Sequence, residues 1–138
     1  MGTGMWFVRI LTLIHALGSL VLVGMTAYLL AAGSPVALAK TPGARLMVEA
    51  LGPWLPVFLG SLAAFLAAMA WSSNRRRPWA WRAALVAYSI GVVGSLWEVA
   101  VGIPQAWLSA GINSTVVLLL LAPSTRRVYF QRPPPSKS

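Results

Sequence analysis

The 138-residue chain contains no cysteine. Disulfides, thiol catalysis, iron–sulfur clusters and cysteine-bound zinc are therefore excluded. Acids are nearly missing too: Glu49 and Glu98 are the only two, against eleven Lys+Arg, for a net charge of +9. Two acids 49 positions apart do not form a carboxylate pair at catalytic spacing. Histidine occurs once, at His15, so haem ligation by two histidines of one chain is excluded. HExxH, Walker-type and serine-elbow patterns are absent as well. The residues point to no enzyme and no metal site. Charged residues of either sign make up 9% of the chain, whereas a soluble domain carries about 25%. Too few remain to clothe a water-exposed surface.

What the chain has instead is apolar length, with 58% hydrophobic residues. Four apolar stretches run at about 7–31, 51–71, 79–101 and 106–122. A helix rises about 1.5 Å per residue, so about 20 residues cross a hydrocarbon core of about 30 Å. The expected fold is all-α: an integral membrane four-transmembrane-helix bundle. Residues 1–131 form one membrane domain, with a proline-rich tail at 132–138 that cannot be helical and should be extended. Ala37-Leu38-Ala39 offers a signal-peptidase pattern, but the preceding apolar run is longer than a signal core, so an uncleaved span is expected. Gly2 opens no myristoylation motif, because Trp6 stands where Ser or Thr is needed.

The positions of the charges set an orientation. In a soluble protein this basicity would suggest nucleic acid. Here Arg75, Arg76, Arg77 and Arg82 flank the second connection, and Arg126, Arg127, Arg132 and Lys137 follow the last apolar stretch. That is the positive-inside bias, and it places both termini in the cytoplasm. Arg75, Arg76, Arg77, Arg82, Arg126 and Arg127 are expected to be membrane-surface anchors. The implied partners are lipid headgroups and the bilayer, with no nucleic acid. Lys40 and Arg45 in the first external loop weaken the bias without reversing it. The third connection, 102–105, carries no charge. Seven tryptophans agree with this frame: Trp6, Trp71, Trp79 and Trp81 mark the inner interface, and Trp54, Trp97 and Trp107 the outer. In the first loop, Thr41-Pro42 resembles a capped helix start. Arg45 and Glu49 follow at i, i+4, and Leu46, Met47 and Ala50 supply an apolar side, so 41–50 reads as an interfacial helix or else as an ordinary loop.

Helices in lipid associate through small residues and interhelical hydrogen bonds. Ala83, Ala87, Gly91 and Ser95 form an i, i+4 ladder in the third stretch. Gly60, Ala64 and Ala68 do so in the second, and Gly18, Ser19 and Gly24 serve in the first. Polar residues inside spans are the candidate sites. Glu98 follows Gly91, Gly94 and Ser95 around one face, near the outer end of its helix. The plainer reading is an acid that caps, snorkels or pairs with Arg45 or Lys40. The sharper ones are a proton or cation site, or a bridge to another subunit. Gln105, Ser109 and Asn113 stand at i, i+4 on the fourth stretch. With Glu98 they would line a small polar cavity, or they would simply hydrogen-bond neighbouring helices. His15 shares a face with Gly18, Ser19 and Thr26. It reads as a buried, hydrogen-bonded histidine, and as the one residue open to ligating a pigment or a single-ligand haem. Otherwise no cofactor is expected.

The segment from Ile112 to Phe130 has Asn113 opening a leucine-rich run that ends in Pro123, the pair Arg126-Arg127 and the aromatics Tyr129 and Phe130. It resembles the last helix of small bacterial four-helix inner-membrane proteins of unassigned function. The likeness covers about 20 residues and implies a bacterial inner membrane and no activity. Small multidrug transporters also have four helices, but their essential acid lies in the first helix, where this chain has His15. The four-helix disulfide oxidoreductases need paired thiols, which are missing. Two functions stay open: an accessory or scaffold subunit of a larger membrane assembly, joined to other subunits or to itself, and a small carrier or ligand-binding protein working around Glu98.

Overall fold

A computed structural model of the chain describes residues 2–32 and 42–131, and for 42–44 the backbone alone. Every regular element among them is helical: α1 (Thr3–Ala32), α2 (Pro42–Leu51), a 3-10 turn (Gly52–Trp54), α3 (Leu55–Asn74), α4 (Pro78–Ala100), α5 (Ala106–Leu121) and α6 (Pro123–Phe130). Thr3–Ala32, Arg45–Asn74 and Pro78–Ala100 are each long and apolar enough to cross a membrane. A fourth span exists if Ala106–Leu121 and Pro123–Phe130 count together across their 62° bend. The reason for the ambiguity is length. The 16 residues of α5 rise only about 24 Å, short of a core of about 30 Å. Thr41, Lys40, the Ala37–Ala39 pattern and the tail at 132–138 lie outside the described residues.

The chain forms two compact units, Leu13–Ala70 and Met1–Thr12 with Trp71–Ser138. In the first, the later turns of α1 run antiparallel to α3. The Ser19 hydroxyl donates to the Ala63 carbonyl at 2.8 Å. One residue back, a Cβ on Gly18 would stand 3.3 Å from Leu66 Cδ1. At the far end Leu29, Leu55 and Leu59 form a core joined by Leu22, Met25, Val48 and Leu51. The contact stripe of α3 is therefore Leu55–Leu59–Ala63. The expected stripe of Gly60, Ala64 and Ala68 is one position off: Ala64 and Ala68 are exposed, and Gly60 only approaches Thr26. A small residue is needed where a neighbouring hydroxyl reaches the backbone, and that position is Ala63. A Cβ added at Gly24 would meet no neighbouring element within 4 Å.

The expected helix at 41–50 is found as α2, but its buried side differs. Val48 and Leu51 join the core, whereas Leu46 and Met47 are exposed. Arg45 pairs with Glu49 at 3.8 Å on the open side. Through the 3-10 turn α2 continues into a helical stretch running to Asn74.

In the second unit, α4 and α5 form an antiparallel hairpin. Proline closes α5 as expected, since the residue before a proline is pushed out of the helical region. Ala122 adopts φ −58°, ψ 135°. The same Pro123 then starts α6 at its first helical position. Thr125 and Tyr129, four residues apart, are the buried face of α6. Tyr129 is thus an internal pin: with Val8 and Ala80 it forms the local core. The start of α1 packs so closely on α6 that a Cβ on Gly4 would collide with the Ser124 carbonyl.

Candidate functional site

The polar residues of the hairpin come together on one line between α4 and α5. Ser95 donates to Ser109 at 2.9 Å. The Asn113 amide reaches Ser109 at 3.3 Å and Ser95 at 3.5 Å. The amide fits because Gly91 lies opposite, where an added Cβ would stand 2.8 Å from Asn113 Oδ1. Ala87 is half-buried on the same helix. Gly91, Ser95, Ser109 and Asn113 therefore form a helix–helix contact. Glu98 and Gln105 are exposed and take no part in it, so the four candidate cavity residues divide into two that bond across the hairpin and two that face outward. Among the described residues Arg45 is matched by Glu49, and the only ion pair is theirs. His15 is buried in the α1–α3 unit, at 3% exposure.

The other end of the hairpin gathers charge. α3 ends in a Schellman motif: the Arg77 N–H donates to the Ser72 carbonyl at 3.0 Å and the Arg76 N–H to the Ser73 carbonyl at 2.9 Å. The motif needs a left-handed residue, normally glycine, and Arg76 supplies it at φ 53°. Pro78 follows at the first position of α4 and fixes the entry to the helix. Trp71 holds two of the three arginines. The Arg75 guanidinium lies 4.4 Å from the centre of its ring and that of Arg77 5.8 Å. Such stacking is worth about 0.5–1 kcal/mol at an exposed site and leaves the N–H edges free.

Across from this turn, the Tyr129 hydroxyl donates to Ser73 Oγ at 3.2 Å, fastening α6 to the end of α3. Phe130 meets Trp81 edge to face at 5.5 Å, with Arg126 5.9 Å from both rings. The Trp81 indole donates to the Leu120 carbonyl at 2.8 Å. That carbonyl lies in the last turn of α5, where the helix break removes its regular partner. Between the turn and α6 opens a groove of about 620 Å³, lined by Arg75, Arg76, Arg77, Pro78, Tyr129, Phe130 and Gln131.

Sequence reasoning placed the arginines but not the groove. Its far wall is α6, and nothing in the pattern of residues 123–130 says that a proline ending one helix also begins another. Gly4 was also missed, for its role depends on α6. Arg82 and Arg127, the remaining expected anchors, are exposed at the same end. Among the described residues no group of three His, Cys, Asp or Glu could hold a metal ion. No protein family, curated protein or solved structure matches the chain.

Proposed function

We propose that this chain is a small four-span protein of the bacterial inner membrane, with both termini cytoplasmic, that serves as an accessory or scaffold subunit of a larger membrane assembly. The observation that carries the reading is how its intramembrane polar groups are used. Ser19 is spent on the Ala63 carbonyl, and Ser95, Ser109 and Asn113 on one another. Bonds of this kind join helices; they do not present a reacting group. Large apolar side chains remain uncovered along α4 and α5, among them Val93, Trp97, Leu108 and Leu118 at 70% exposure or more. Lipid or other subunits would cover them. The basic α3–α4 turn and α6 support a cytoplasmic placement of that end, and the uncharged α4–α5 turn an external one. The bacterial origin rests on the resemblance of the last helix.

Mild-detergent extraction followed by native mass spectrometry and an absorbance spectrum tests this. Recovery in a fixed ratio with larger proteins supports the accessory role. A colourless, self-contained monomer or dimer counts against it, and a haem or pigment band would bring His15 forward as a ligand. The second reading, a carrier working around Glu98, draws on the exposure of that carboxylate at the end of α4. Glu98→Gln separates the two: assembly unchanged and function kept for a subunit, function lost for a carrier.

A further inference from the structure

We propose that the groove between the α3–α4 turn and α6 is a binding site for the phosphate of one acidic phospholipid, with the acyl chains lying along the exposed aromatic side. This goes beyond the accessory role and rests only on insertion of the chain in a membrane. The first support is unbalanced charge. Arg75, Arg76 and Arg77 line the groove together with Tyr129, Phe130 and Gln131. The only acid in this unit, Glu98, lies at the other end of α4, about 30 Å along the helix. The single other acid of the chain, Glu49, is matched by Arg45. Three arginines line one groove with no acid of the chain beside them, so an anion from outside would meet uncompensated positive charge there. Planar guanidinium forks suit phosphate oxygens in paired hydrogen bonds.

The second support is preorganisation. Trp71 holds the Arg75 and Arg77 groups over its ring, and Tyr129 is locked to Ser73. Side chains already held in place lose less freedom when a ligand arrives. The third concerns Arg76, which stands at φ 53° where glycine would relieve the backbone. A left-handed L-residue is strained, and Arg76 is one of the groove-lining arginines. The fourth decides the source of the phosphate. The groove opens beside apolar surface, with Phe130, Trp71 and Trp79 all more than 40% exposed. A free phosphate ion would gain nothing from those rings, whereas a phospholipid has chains to lay on them.

The test uses the full chain purified in a neutral detergent and titrated with short-chain phosphatidylglycerol, phosphatidylcholine or inorganic phosphate, with bound lipid counted by native mass spectrometry. One saturable phosphatidylglycerol is expected, at least tenfold preferred over phosphatidylcholine and not displaced by millimolar inorganic phosphate. Arg77→Gln and Arg76→Gly are each expected to weaken it about tenfold. Arg9→Gln, which removes one charge from the same unit outside the groove, is expected to change it less than twofold. Arg76→Gly also guards against misfolding, since it should leave the thermal midpoint equal or higher. Equal loss in Arg9→Gln and Arg77→Gln would mean diffuse attraction, and would overturn the site. So would full binding in both groove variants, or no preference for the acidic lipid. Displacement by inorganic phosphate would overturn the lipid as its source. Recovery of the chain without detergent would instead overturn membrane insertion, an outcome separate from any lipid count.

Discussion

Arg76 and Gly102 occupy the same position in two copies of one helix-ending motif, at the two turns that bound α4. At the α4–α5 turn the Ile103 N–H donates to the Glu98 carbonyl and the Gly102 N–H to the Val99 carbonyl, both at 3.0 Å. Gly102 takes φ 88°, and no charged side chain stands between it and Gln105. The α3–α4 turn repeats these bonds on Ser72 and Ser73, yet it uses arginine at the left-handed position and sets arginines on either side. Backbone geometry alone would favour glycine in both. The difference teaches that the two ends of α4 answer to different surroundings. One turn needs only to close a hairpin, and the other carries charge even where the backbone resists it.

The strongest way to break this comparison is to ask which side of the membrane each turn occupies. The native chain has no cysteine, so single cysteines report without background. Gln105→Cys should react with a membrane-impermeant maleimide in intact cells, and Asn74→Cys only after the inner membrane is opened. Reaction of both, or of neither, would mean that α4 does not cross the membrane, and would sink the four-span arrangement. Replacing Arg75, Arg76 and Arg77 with glutamine while placing three arginines in the 102–105 turn should redistribute or reverse the labelling.

Next in size is the backbone of the uncharged turn. Gly102→Val forces a branched residue to φ 88° and should destabilise the hairpin by about 1–2 kcal/mol. Unfolding from mixed micelles by increasing SDS would measure it. Gly91→Leu should cost a similar amount, because its side chain would enter the space of the Asn113 amide. If Gly91→Leu were neutral, the α4–α5 contact described here would be wrong. A smaller loss is expected from Asn113→Leu, about 0.6–1.7 kcal/mol, the range for interhelical hydrogen bonds in membranes. The Ser95–Ser109 bond survives that change.

How much of this was legible beforehand depends on the period of each feature. Apolar runs of about 20 residues and the clustering of arginine are long-range patterns, and they located the helices to within a few residues. The i, i+4 spacing of Ser109 and Asn113 and the placement of Gly91 and Ser95 were legible because a helix repeats nearly every four residues. What failed turned on facing and on breaks. Choosing Ala63 over Ala64 as the contact of α3 is a rotation of about 100° (one residue in 3.6 per turn), which a helix apolar on all sides does not encode. Likewise the apolar residues of α2 lie on more than one side, and Val48 and Leu51, not Leu46 and Met47, meet the core. The groove was illegible because it needs α6 to fold back after Pro123. A proline forbids the helix behind it, while being well suited to start the next.

The smallest effect sharpens the comparison most, because its sign is opposite to that of Gly102→Val. Arg76→Gly removes the strain of a left-handed arginine, which is worth about 1–2 kcal/mol. It also adds freedom to the unfolded chain, which takes back about 0.5–1 kcal/mol. The net should be a gain of about 0.5 kcal/mol, read as a small shift of the SDS unfolding midpoint to higher detergent. Arg76→Ala keeps the strained backbone and loses the guanidinium, so it should show no such gain. If both variants behaved alike, the backbone at Arg76 would not be strained, and the case for a residue kept there for its charge would fail. If only the glycine variant gains, the two turns of α4 differ as described: one residue suits the backbone, and the other is held for what its side chain meets outside the protein.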